Sequence, residues 1–296
     1  MVFLDPNGGA EQRFRMACRF GAFGKGVHIL SSPDGIHWRA THTNIVSYRE
    51  EAKRHHLDSQ NIVFWDDRLR KYVVYGRRNL FADGVQGRGV ARAESAGLGE
   101  FSAVQDMPVV IGPAPGDPWV DYYSSSALKY AWAQVAYYMF PKAYFHYLGG
   151  EMPEFPKQTP INAGPLHTQF AASRDGLKWN RYDRRPFVPL GMRGEFDWAS
   201  ARMVHGLVPD TTGREMFMYY RASDWLHGWD RNPDNKRLLT RAGLGADKNI
   251  AVISRVVLRR DGFISVYAPR AGGEFTTEPL RFGGGKLLLN VDTSAE

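Results

Sequence analysis

Three aspartates, Asp58, Asp121 and Asp197, recur at equivalent points of a repeated pattern, each at the head of a run of β-forming residues. Four cations, Arg19, Arg77, Lys142 and Arg221, fall where a second run would return to the same end. Carboxylates a few ångströms apart repel and drive their pKa values apart, which yields one acid and one base, while nearby cations hold hydroxyls or an anionic group. Asp58, Asp121 and Asp197 are therefore the candidate catalytic residues, and Arg77, Lys142 and Arg221 the candidate binding residues. A purely structural reading, in which each aspartate binds loop amides, gives no reason for a cation opposite each one.

The stretch His55-His56-Leu57-Asp58-Ser59-Gln60-Asn61 leads into Ile62-Val63-Phe64-Trp65-Asp66, a charged turn, and a second β-forming run ending at Arg77. That is a β-hairpin with both loose ends on one side, which brings Asp58 near Arg77. Val2-Phe3-Leu4-Asp5-Pro6-Asn7-Gly8 followed by Arg13–Arg19 lies on Val63–Arg77 strand for strand, so Asp5 and Asp66 are both turn residues. The counterpart of Asp58 would precede Met1, and a further N-terminal unit is expected there. Ser32-Pro33-Asp34-Gly35-Ile36-His37-Trp38 recurs as Ser173-Arg174-Asp175-Gly176-Leu177-Lys178-Trp179, a turn with a Trp returning to cover a sheet. Third and fourth units open at Trp119 and Phe196, separated by an excursion over Gly149–Pro165, and a polar loop is expected from Asp224 to Asp247.

Asp58 and Asp121 are 63 residues apart, and Asp121 and Asp197 are 76 apart. Four-stranded units at this spacing are expected to be blades of a β-propeller, whose inner strands open on a central cavity. The expected fold is all-β, with a propeller over residues 1–258 and the start of a β-sandwich over 259–296, where Gly272-Gly273, Gly283-Gly284-Gly285 and Leu287–Asp292 change the pattern.

Composition agrees. Aromatic residues make up 13% of the 296, beside 31 Gly and 17 Pro, which suits many short strands joined by turns. The net charge of +7 is spread along the chain without a basic block, so neither nucleic acid nor a membrane surface is indicated. A single cysteine, Cys18, excludes an intrachain disulfide and a cysteine metal site. His55 and His56 have no third ligand at metal-binding spacing. No metal or cofactor is expected, and compartment and oligomeric state are left open.

The aligned aspartates, the Ser-x-Asp-Gly-x-x-Trp turns and the trailing β-sandwich pattern resemble the five-bladed propeller glycoside hydrolases, the superfamily holding families 32, 43, 62 and 68. The nearest group is that of family-32-like N-terminal domains. The resemblance covers nearly the whole chain and implies five blades, four of them visible here and the N-terminal one missing. It also implies a glycosidase acting on oligosaccharide or polysaccharide, the carbohydrate being compatible with acidic groups. A phosphorolysing enzyme and a non-catalytic glycan-binding propeller are the alternatives. The family's Asn-Asp-Pro-Asn-Gly becomes Leu4-Asp5-Pro6-Asn7-Gly8, its Arg-Asp-Pro becomes Leu57-Asp58-Ser59, and Tyr122 follows Asp121 where the family has a Glu-Cys acid. Toward a sugar, Asp224 and His227 are read as hydroxyl contacts and Trp225 as a stacking residue, with Tyr122, Tyr123, Trp119 and Trp198 as a platform.

Overall fold

The computed structural model describes residues 1–49, 56–80, 87–115, 117–147, 162–230, 233–246, 248–279, 281, 283–287 and 289–292. Most of the expected excursion (149–161) and His55 lie outside them.

The chain is nearly all β, in antiparallel sheets that follow one another in sequence. The first sheet is β1 (Val2–Leu4), β2 (Phe14–Cys18), β3 (Val27–Ser32) and β4 (Arg39–Val46), paired in that order. The second repeats it with β5 (Ile62–Asp66), β6 (Lys71–Asn79), β7 (Arg88–Ser95) and β8 (Val109–Ile111). One buried layer, with Ala17, Ile29 and Val46 on one side and Val63, Val74 and Ala91 on the other, joins the two sheets. Removing apolar area of this kind from water is the main term holding such sheets together, at about 25 cal/mol per Å².

The third unit is broken where the first two are continuous. β9 (Val120–Tyr122), β12 (Lys142–Phe145) and β13 (Leu166–Thr168) pair at one end, and β10 (Leu128–Lys129), β11 (Tyr137–Met139) and β14 (Ala171–Ser173) at the other. Pro141, which has no N–H to give a ladder, sits at the break. The fourth unit is β15 (Ser200–Met203) and β16 (Val208–Pro209) against β17 (Glu215–Ser223), which pairs along its whole length with β18 (Ala251–Arg259).

The repeat is chemical as well as topological. In both Ser-x-Asp-Gly-x-x-Trp turns the Ser hydroxyl accepts the Gly N–H, at 2.8 Å for Gly35 and 2.9 Å for Gly176, and the Trp indole donates to the Gly carbonyl at 3.1 Å. The hairpin-turn aspartates are also matched across units: Asp5 accepts from Tyr72 and Asp66 from Tyr137, a tyrosine of the next unit in each case.

The polar loop expected from Asp224 to Asp247 contains a helix, α1 (Pro233–Arg241). Pro at its first position, Asp234 in its first turn and Arg241 in its last suit a helix start, stop and dipole, and Leu239 is its buried anchor. The chain divides into two compact units, Met1–Asp261 and Gly262–Glu296, so the propeller-sized unit runs slightly past the boundary expected at 258. The second has no strand among its described residues. Among the described residues no helix is long and apolar enough to cross a membrane.

Two histidines set an acid limit on stability. Burial holds His167 and His205 at about 4, the latter with Lys142 adding to the effect. An unfolded histidine takes its proton at about 6.5, so between about 6.5 and 4 the unfolded chain binds more protons than the folded one. Stability is therefore complete above about 6.5 and is lost as pH falls toward 4. Urea midpoints should drop from pH 7 to pH 5, and His167→Gln with His205→Gln should flatten the dependence; a flat wild-type profile would contradict this.

Candidate functional site

Asp58 is placed by a strained turn. Leu57 has φ of 59°, a left-handed conformation unusual for a bulky residue, yet its side chain is fully buried. The turn is held by the Leu57 N–H on the Arg77 carbonyl (3.1 Å) and by the Asn61 amide on the carbonyls of Leu57 (3.0 Å) and Ser59 (2.9 Å). Gly76 makes room: a Cβ there would stand 2.8 Å from Leu57 Cδ2. The result is a partly exposed Asp58 carboxylate against the guanidinium of buried Arg77.

Asp121, in β9, is nearly covered and takes two charged partners, the Arg88 guanidinium and His146 Nε2 at 2.9 Å. Burial alone would raise its pKa, but the His146 hydrogen bond and the Arg88 charge hold it below the usual carboxylate value. Gly87, at φ of 129°, lets the start of β7 close on this residue, since a Cβ there would lie 3.1 Å from Asp121 Oδ1.

Tyr123 links the two carboxylates. Arg77 Cζ lies 4.9 Å and Arg88 Cζ 5.4 Å from its ring centroid, and the His227 ring meets it edge-on at 5.0 Å. Tyr144 stands beside both histidines, 4.2 Å from His146 and 4.8 Å from His227. Ser59 donates to the Tyr123 carbonyl at 2.6 Å, which fastens the Asp58 turn to the third unit. His227 is carried by a bridge to Gly164, where a Cβ would fall 1.9 Å from the Phe145 carbonyl oxygen.

Behind this group lies Lys142, buried, its ammonium on Gln60 Oε1 at 2.9 Å and on Ser126 Oγ. Burial, with Arg202 adding to it, pushes Lys142 well below the ordinary lysine value. Arg202 pairs directly across β15 and β17 with Arg221. Burial and Arg221 lower Arg202 to about 10, with Tyr123 acting in the other direction.

Of the residues expected from the sequence, the structure thus brings together Asp58, Asp121, Arg77, Lys142, Arg221 and His227. It places three elsewhere. Asp197 accepts from Tyr220 at 3.0 Å in a cleft of about 570 Å³ lined by Leu190, Gly191, Glu195 and Lys248, and neither Asp58 nor Asp121 lines that cleft. Tyr122 is buried in the core with its hydroxyl on Arg181, because adjacent strand residues point to opposite faces and Tyr123 takes the site side. Asp224 accepts the N–H groups of Lys248 (2.6 Å) and Ile250 (2.8 Å) and so clamps a loop.

Arg88, His146, Tyr144 and Arg202 belong to the site but were not singled out in the sequence. Arg88 had a signal: it pairs with Asn79 and so heads a strand starting at the end where Arg77 stands. His146 had one too, being on the face shared by alternate residues Lys142 and Tyr144. Among the described residues no group of three His, Cys, Asp or Glu side chains could hold a metal ion.

No protein-family profile matches the chain, and no curated protein does. Its similar solved structures are glycoside-hydrolase-like. One, named glycoside hydrolase, has a TM-score of 0.44 at 15% identity, covering 78% of this chain and 56% of that one. A glycosyl hydrolase from Bacteroides ovatus gives 0.43 at 14% identity over 83% of this chain and 62% of its own. The third belongs to work on the GH130 family of mannoside phosphorylases, said to contain glycoside hydrolases that target β-1,2-mannosidic linkages in Candida mannan; it gives 0.44 at 15%, over 83% and 62%. The chain spans less than two thirds of each of the three. At such identities and TM-scores, function has to be argued from the site itself.

Proposed function

We propose that this chain is the core of a glycosidase, hydrolysing a glycosidic bond of an oligosaccharide or polysaccharide with Asp58 and Asp121 as its working carboxylates. The observation that carries the reading is the joint placement of those two side chains about the half-buried Tyr123 ring, with Tyr144 and His227 beside it. Aromatic faces bordered by fixed charges suit a sugar ring, whose C–H face is apolar and whose rim is hydroxyl. Asp121, held ionised by His146 and Arg88, supplies the constant negative charge for an oxocarbenium-like transition state or a base toward water. Asp58, the more exposed of the two, is the carboxyl that substrate reaches. Asp197 stays outside this assignment, since it lines another cleft.

The scaffold proposed for this site is a five-bladed propeller with the four sheets as blades. Its support is the outward faces of the first and fourth sheets, which carry uncovered apolar residues such as Leu4 (64% exposed) and Ile253 (63%) and would both be covered by one further blade. Residues 259–296 are proposed, on their sequence pattern, as the opening of a separate β-sandwich.

The test is a screen of the full chain for reducing-end release from a panel of polysaccharides and p-nitrophenyl glycosides, with and without inorganic phosphate. Phosphate-independent release that disappears in Asp58→Asn supports hydrolysis. Release of a sugar 1-phosphate only when phosphate is present would replace it with phosphorolysis, and binding without release in both conditions would leave a lectin-like module.

A further inference from the structure

The charges around Tyr123 do not balance. Arg77 is matched by Asp58, and Arg88 by Asp121. Lys142, Arg202 and Arg221 have no carboxylate at ion-pair distance among the described residues, and the hydrogen-bond partners of Lys142 are neutral. Arg202 and Arg221 are direct cross-strand neighbours, an arrangement in which like charges destabilise a sheet. The Nε of Arg202 is buried without a hydrogen-bond partner, which leaves a charged donor both desolvated and unused. Lys142 and Arg221 act on Arg202 from its two sides, and Tyr123 connects it to the Asp58 and Asp121 carboxylates.

We propose that Arg202, Arg221 and Lys142 form an oxyanion subsite next to the glycan position, which takes either the carboxylate of an acidic sugar or a free phosphate. A guanidinium offers paired N–H donors that match such a group, and its negative charge would relieve the repulsion between the two arginines. The placement beside a sugar rests on the glycosidase reading above; the anion site itself does not.

Calorimetric titration of the full chain with inorganic phosphate, galacturonate and galactose separates the possibilities. Saturable binding of phosphate or galacturonate is expected, weakened about 10- to 100-fold in Arg202→Gln, the usual worth of a charge-assisted hydrogen bond. Galactose affinity should not change. Phosphate binding alone identifies free phosphate as the occupant, and galacturonate binding identifies the sugar carboxylate. Should Arg202→Gln not fold, the exposed Arg221→Gln provides the same comparison. The subsite is overturned if neither anion binds the wild type, or if the arginine variants bind it unchanged. If the wild type cleaves neutral glycans but binds neither anion, this inference fails and the glycosidase reading stands. Anion binding with no glycan cleaved is the reverse case.

Discussion

Asp5→Ala should cost the fold about 3–5 kcal/mol, the usual penalty for removing one partner of a buried ion pair. The Asp5 carboxylate is fully buried and accepts from Arg15 Nε at 3.0 Å, from the Tyr72 hydroxyl at 2.9 Å and from the Asn7 N–H at 3.0 Å. Truncation leaves the Arg15 charge and the Tyr72 hydroxyl without their acceptor, deep between the first two sheets. Urea unfolding should show the loss as a lower midpoint with an unchanged slope. A loss under about 1 kcal/mol would mean that water reaches the pair. The same geometry settles the role of a residue whose Asp-Pro-Asn-Gly context resembles a catalytic motif: no substrate reaches a carboxylate buried in that way.

Asp58→Asn and Asp121→Asn should each lower turnover by about 10² to 10⁴ with folding intact, the range typical for loss of an acid or base. The reasons differ. At Asp58 the amide removes a carboxyl that faces substrate and releases the Arg77 guanidinium. At Asp121 it removes the negative charge that Arg88 and His146 are arranged around, so a fall in kcat is expected with little change in KM. Circular dichroism and thermal melts of the purified variants separate lost chemistry from lost structure.

What the sequence showed and what it hid divide along one physical line. Features set within a hairpin were legible: the Asp58–Arg77 meeting follows from strand polarity, and the Asp-Gly turns follow from residues within a few positions of each other. Features made by one unit packing on the next were not. Arg88, His146 and Arg202 come to Tyr123 from three different units, and no local spacing connects them. Tyr122 and Tyr123 differ by a single step of strand register, which reverses the face a side chain takes. Asp197 aligned with the other two aspartates, but the Gly191 loop, where a Cβ would lie 2.3 Å from its Oδ1, folds over it and makes a cleft of its own. The helix α1 was hidden in a polar stretch because only Asn235 and Leu239 of its nine residues are buried.

The most direct test of the glycosidase reading compares Asp121→Asn with Asp66→Asn on whichever substrate the wild type cleaves fastest. Both carboxylates are buried, and both accept several hydrogen bonds; Asp66 takes the N–H groups of Arg68 and Leu69 and the Tyr137 hydroxyl. Asp66→Asn should therefore lower stability by about 1–3 kcal/mol. Its kcat/KM per folded molecule should stay within about twofold of wild type, while that of Asp121→Asn falls by about a hundredfold or more. Equal losses in the two variants, after correction for the folded fraction, would contradict the assignment of Asp121 to the chemistry.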